Sequence, residues 1–333
     1  MTMSDEHARR VQRRERIAAR RRRAVATIAA SFAACVMVVA GGVMAAGWVD
    51  GSAASETSET TAVIPSLTTI VEESIEGIQA SAPDSMPEPE DDAEPFCTPA
   101  VRDAIATGDA EAVVVAAGGG EAFRSGVVDG RASDCISLEH PAWAWVVVNK
   151  QRPVEPIDYE PNSLVEPETF SPVGGHLTPA AATALDELAS AAREAGVGEI
   201  ALESGYRSHD MQVTTYDAQV GALGQADADL TSARPGYSEH QLGLAADVVA
   251  CADGSCGTIY DVGATPQGSW VAENAWKHGW IVRYEEGTTD TTGYEPEPWH
   301  LRYVGQELAR AYSEGGYATY EEFFGLSAAP SYE

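Results

Sequence analysis

SEHQLGLAADVVA, residues 238–250, joins a polar cluster to an apolar run. Residues 241–250, QLGLAADVVA, read as a β-strand. Seven positions separate His240 from Asp247, which puts His240 in a loop and Asp247 along the strand, with Gly243 allowing the turn between them. Working outward, GEIALESGY (198–206) is expected to be the preceding strand and GWIVRY (279–284) the following one. A helix is predicted from an N-cap at Thr178, with Pro179 at its first position and an end before Gly196. Its residues Ala182, Leu185, Leu188 and Ala192 share one face. TPQGSWVAENAWKHG (265–279) reads as a second capped helix closed by Gly279, and YVGQELARAYSEGG (303–316) as a last one. Upstream, AWVVVNKQRP (144–153) reads as a buried strand stopped by Pro153. Strands and helices interleave without a regular βαβ repeat, which indicates a compact α+β domain.

The remaining chain is organised by charge and cysteine. Nine of the 21 Lys and Arg residues lie between Arg9 and Arg23, and the formal net charge is −30. The main domain is therefore strongly acidic, which argues against nucleic acid as a partner. Residues 1–23 form a basic tail, and residues 24–49 carry no charge over a length sufficient to span a bilayer as a helix. A transmembrane signal-anchor is expected there, with the basic tail cytoplasmic and the later chain outside. A cleaved signal peptide is the other reading, and export follows from both. Cys35 sits inside that span as a small apolar residue. Residues 50–96, rich in Ser, Thr, Pro, Glu and Asp, read as a disordered acidic linker. Cys97, Cys135, Cys251 and Cys256 lie on the oxidising side, where three pairings are open. Cys251–Cys256, closing the loop CADGSC, and Cys97–Cys135 are favoured over a zinc knuckle, since neither pair has Cys-x-x-Cys spacing. Residues 97–141 read as a small disulfide-tied subdomain with a short helix and a hairpin, and 327–333 as a tail.

Three polar clusters carry the chemistry: Ser204-Gly-Tyr-Arg207-Ser, Ser238 to Asp247, and Glu297-Pro-Trp-His300. Each is expected at a strand end or in a loop. A catalytic zinc needs about three N or O ligands and an open position, and His240, Asp247 and His300 supply two imidazoles and a carboxylate. Glu297 is the candidate general base. Arg207 suits a substrate carboxylate or a developing oxyanion, because guanidinium makes planar bidentate contacts. His209 is assigned to the rim of the site, and His140, His176 and His278 to structural positions. No Ser-x-x-Lys motif is present, so an acyl-serine mechanism of the penicillin-binding type is not expected.

SGYRSHDMQ (204–212), PGYSEHQLGLAAD (235–247) and TGYEPEPWHLRYVG (292–305), in this order, resemble the signature of the VanY-like D-alanyl-D-alanine carboxypeptidases, which are zinc D,D-peptidases. The resemblance extends from about Trp143 to Phe324 and includes WVVVNKQRP and WKHGWIVRY. It implies a Hedgehog/DD-peptidase-like domain over 142–326 with a mainly antiparallel central sheet. It also implies one Zn2+ held by His240, Asp247 and His300, with Glu297 as base and Arg207 as the group recognising substrate. Ser204, Gln212 and Ser238 are then expected to shape the pocket for peptidoglycan stem peptides ending in D-Ala-D-Ala. Leu242 stands where Thr is common in the family, and Trp280 where Phe is usual. The resemblance and the anchor together place the enzyme on a Gram-positive cell membrane, single-pass, with the catalytic domain extracytoplasmic. A D,D-dipeptidase, an L,D-peptidase or endopeptidase of the same fold, and an inactive zinc-containing wall-binding module are the alternatives.

Overall fold

A computed structural model describes residues 95–332. Three short helices come first: α1 (Pro99–Thr107), α2 (Ala110–Ala116) and α3 (Gly120–Val128). The Thr98 hydroxyl accepts from the Val101 N–H, and the Asp109 carboxylate from the N–H groups of Glu111 and Ala112, so both helix starts are capped. The hairpin expected between Cys97 and Pro141 is thus corrected to helix. Val113 and Val114 are buried while Val115 is exposed, so packing of one helical side overrides the β-preference of the Val run.

The long helix α4 (Pro179–Glu194) starts after Thr178 as the sequence indicates, and leads into β1 (Glu199–Ser204). Next come α5 (His209–Leu223), capped by the Ser208 hydroxyl, and the single turn α6 (Gln225–Ala228). The central strand β2 (Ala245–Ala252) is followed by the two-residue β3 (Ser255–Cys256) and by α7 (Pro266–Asn274). Then follow β4 (Trp280–Tyr284), a turn α8 (Thr289–Thr292), β5 (Glu297–Tyr303), α9 (Gln306–Glu314) and α10 (Tyr320–Phe323). β2 begins four residues later than the sequence suggests. Glu239–Leu242 form a 3-10 turn ended by Gly243 at φ 66°, a left-handed conformation that breaks the strand.

The sheet order is β1-β2-β5-β4, with β3 on β2, and every pairing is antiparallel. Ser204 pairs with Asp247, and Asp247 with His300, so one row across three strands holds three residues of the polar clusters. Register is irregular between Leu202 and Ser204 in β1 and between Val282 and Tyr284 in β4. Glu297 opens β5, a strand end as expected, while His300 lies inside the strand, which corrects the strand-end or loop placement expected for it.

Leu185 and Leu188 of α4 pack on Ile200, Leu202, Ala246, Val248 and Leu301 of the sheet. A second core unites Val101, Val113 and Phe123 from α1–α3 with Leu308, Tyr320 and Phe323 from α9 and α10. The first three helices therefore share a core with the chain that follows β5. Residues 144–152 run between the two cores: Val146 and Val148 belong to the first, Trp145 and Val147 to the second. That alternation imitates a strand, but the expected strand is corrected to irregular chain with one isolated bridge, Asn149 to Arg152. Its carbonyls at Ala144 and Val146 accept from the Arg302 guanidinium (2.9 and 2.8 Å) instead of a neighbouring strand. The disulfides join Cys97 to Cys135 and Cys251 to Cys256, the favoured pairing. The transmembrane segment expected at 24–49 lies outside the described residues, and among those residues no helix is long and apolar enough to cross a membrane.

Phe123 is fully buried between Phe96, Trp145 and Phe324. Phe123→Ala is expected to lower the unfolding free energy by about 3–5 kcal/mol. Urea titration followed by both far-UV circular dichroism and Trp fluorescence should give one shared, shifted transition. Separate transitions would mean that α1–α3 fold independently of the sheet.

Candidate metal centre

The antiparallel register of β2 and β5 sets Asp247 opposite His300, with the His300 Nδ1 3.0 Å from an Asp247 carboxylate oxygen. His240 arrives from the 3-10 turn, and its Nε2 lies 3.2 Å from the other oxygen. One donor atom from each of the three residues lies within 4.8 Å of the others, and all three side chains are buried. The remaining ring nitrogens are engaged elsewhere: His240 Nδ1 lies 2.7 Å from the Gly205 carbonyl, and His300 Nε2 lies 3.1 Å from Glu239. This fixes which nitrogen of each imidazole faces the centre. Two imidazole nitrogens and a carboxylate, converging with their outer contacts satisfied, fit a divalent ion of the zinc class.

Burial would raise the Asp247 pKa, but His240 and His300 hold its carboxyl well below the usual range. Burial would likewise lower that of His300, yet hydrogen bonds to Asp247 and Glu239 outweigh it and raise the value to about 10. Without a metal the site therefore carries a proton on His300 at neutral pH, and a cation entering must displace it.

Glu297 opens β5 with its carboxylate 3.9 Å from His300 Nδ1. Arg207 follows β1, its guanidinium 3.8 Å from Asp247. It donates to the Ser204 hydroxyl (3.1 Å) and to the Gln212 side-chain carbonyl (2.8 Å). Gln212 is buried on the first turn of α5 and donates to the Ala233 carbonyl (2.6 Å). Ser204 and Gln212 thus hold the arginine. Ser238 is buried at the start of the 3-10 turn, where its backbone carbonyl accepts from Gln241. His209 is partly exposed beside Asp210.

A set of residues without an assigned role in the sequence reading lies directly behind His300. Glu239 accepts from Arg302 (2.8 Å) and Arg283 (3.1 Å), and Arg283 forms a two-point contact with Glu321 (2.7 and 3.0 Å). All four side chains are almost completely buried. The available signal was an arginine inside each of two apolar strands, IVRY and HLRY, since a charge in such a strand requires a buried partner. Glu239→Gln should weaken zinc binding by about 10–100-fold, because it disturbs the group that orients His300. Competition with a chromogenic chelator measures this, and unchanged affinity would deny Glu239 that role. Zinc uptake by the wild type at pH 7 should also release a proton, visible in calorimetry as a dependence on the buffer's ionisation enthalpy.

The family model VanY, described as D-alanyl-D-alanine carboxypeptidase, matches residues 174–306. "Putative carboxypeptidase YodJ" of Bacillus subtilis (strain 168) is 39% identical over 194 residues, covering 56% of this chain and 69% of that protein. A D-alanyl-D-alanine carboxypeptidase of Enterococcus faecalis (strain ATCC 700802 / V583) is 38% identical over 183 residues, covering 52% of this chain and 63% of that protein. Among solved structures, the LdcB LD-carboxypeptidase superposes with a TM-score of 0.51 at 38% identity, covering 55% of this chain and 86% of that one. With the motifs, the antiparallel sheet and a relative matched over more than two thirds of its length, the chain belongs to the VanY family of D-alanyl-D-alanine carboxypeptidases.

Proposed function

We propose that this protein is a zinc-dependent carboxypeptidase that removes the terminal D-alanine from peptidoglycan stem peptides ending in D-Ala-D-Ala. The observation that carries this reading is the convergence of His240 Nε2, Asp247 and His300 Nδ1, with the Glu297 carboxylate 3.9 Å from His300 and the Arg207 guanidinium 3.8 Å from Asp247. His240, Asp247 and His300 would hold a zinc ion, which when bound would supply Lewis-acid polarisation of the scissile carbonyl and a lowered pKa for water. Glu297 accepts the proton of the attacking water and returns it to the nitrogen of the departing D-alanine as the C–N bond breaks. Arg207, braced by Ser204 and Gln212, offers its guanidinium to the substrate's carboxylate or to the oxyanion. The two disulfides support an extracytoplasmic setting, and residues 24–49 anchor the chain in the cell membrane with the basic tail inside.

A second reading is release of D-alanine from the tetrapeptide, favoured by the likeness to the LdcB LD-carboxypeptidase. The assay therefore offers the full-length chain both muramyl pentapeptide and tetrapeptide and follows free D-alanine. Release from the pentapeptide, abolished by a chelator and cut by about 10²–10⁴-fold in Glu297→Ala with metal retained, is the expected result. Release confined to the tetrapeptide would assign the L,D bond instead. Bound zinc with no release from either would turn the protein into a binding module. Labelled penicillin should form no covalent adduct, and acylation would contradict a mechanism without a nucleophilic serine.

A further inference from the structure

Residues 327–332 follow the last helix and return toward the metal centre. The Ala329 N–H donates to the Thr291 carbonyl (2.7 Å), and the Ala329 side chain is buried. Three residues on, the Tyr332 hydroxyl accepts from the Arg234 N–H (2.8 Å) and lies 3.1 Å from the Tyr294 hydroxyl. Its ring lies under the Arg234 guanidinium (4.3 Å) and meets Tyr237 edge to face (5.1 Å). Burial pushes the Tyr332 hydroxyl up to about 12, so it remains a neutral phenol.

Tyr332 thereby touches two segments that both lead to the site. The first, residues 229–237, runs directly into Ser238 and His240, and its Ala233 carbonyl holds Gln212, which holds Arg207. The second, residues 291–296, runs directly into Glu297. Glu295 N–H donates to the Leu230 carbonyl (2.9 Å), joining the two segments at one point. Lys150 joins them at another: its buried ammonium donates to the Asp229 carbonyl (2.7 Å) and the Gly293 carbonyl (2.8 Å). That ammonium also faces the rings of Tyr294 (4.5 Å) and Tyr332 (5.2 Å). Tyr294 in turn packs on Tyr284 (4.6 Å), and Tyr284 on the His300 ring (5.2 Å).

We propose that Tyr332 is a positioning residue which, with Lys150, clamps the segment supporting Arg207 and His240 to the segment delivering Glu297, and so sets the spacing between the substrate arginine and the base. The clamp rests on the peptidase reading for its effect on turnover, but not for its effect on the two segments. Because near-attack geometry is sensitive to displacements of about 1 Å, loosening either segment costs turnover without removing any group that touches substrate. The effect divides between the two kinetic constants: KM through Gln212 and Arg207, kcat through Glu297.

The test uses the full-length chain with Tyr332→Phe and Tyr332→Ala. The first keeps the ring under Arg234 and removes the hydroxyl; the second removes both. Hydrogen–deuterium exchange of peptides covering 229–237 and 291–297 should quicken by about tenfold in Tyr332→Ala, less in Tyr332→Phe, while α1–α3 exchange as in the wild type. Well below the melting temperature, with metal content unchanged, kcat/KM for D-alanine release should fall by about tenfold in the Ala variant. Unchanged exchange in both segments overturns the clamp. Faster exchange with wild-type kcat and KM overturns the positioning role and leaves a structural contact. A wild type that releases no D-alanine from any peptide sinks the peptidase reading alone, and the clamp then stands or falls on the exchange rates.

Discussion

The pairing of Asp247 with His300 across β2 and β5 is the constraint on which the remaining geometry depends. Side chains alternate faces along a strand, so a slip of one residue would turn His300 away from Asp247 and place Leu301, now in the core, on the polar side. The same register aligns Arg302 with Ala245, next to the turn that carries Glu239. The candidate metal-site residues and the hydrophobic core are therefore specified together: the strand cannot satisfy one while losing the other.

Behind that row, Glu239, Glu321, Arg283 and Arg302 form a buried set with two charges of each sign. Such a set contributes less to stability than its short distances suggest, since each ion has lost its hydration; breaking one partner nevertheless costs about 3–5 kcal/mol. Its value here is geometric. Arg302 binds Glu239 and the carbonyls of Ala144 and Val146 at once, and Asn149 donates to Glu321, so the irregular chain between the two cores is tied to the group behind His300.

The parts of this arrangement legible in the sequence are those encoded locally. The helix from Pro179 was visible because Ala182, Leu185, Leu188 and Ala192 repeat at helical spacing, and the three metal-site residues because His and Asp stand out against apolar strands. Residues 144–152 were misread because alternating burial is all that a sequence displays; the absent neighbouring strand, replaced by one arginine side chain, leaves no local trace. Gln241 and Leu242 read as the start of a strand, but they belong to the 3-10 turn that Gly243 ends, because a short turn leaves little pattern of its own. The helices after Cys97 carried readable caps at Thr98 and Asp109, but a Val run and several glycines pointed the other way. Glu239 carries no legible role in the sequence, since its partners Arg283 and Arg302 lie far along the chain.

The bridge between Cys97 and Cys135 has a mechanical consequence. Tension reaching the domain along the preceding chain meets the covalent cross-link within a few residues of its first described position. The load then passes from Cys97 to Cys135 through sulfur, and the intervening helices are shunted out of the force path. Phe96, packed against Phe123 and against Gly126 where a larger residue would collide with its ring, takes the first shear. A pull on this protein is thus carried past α1–α3 before it reaches the sheet, so these helices can keep their packing against α9 and α10 while the chain ahead of them is under strain.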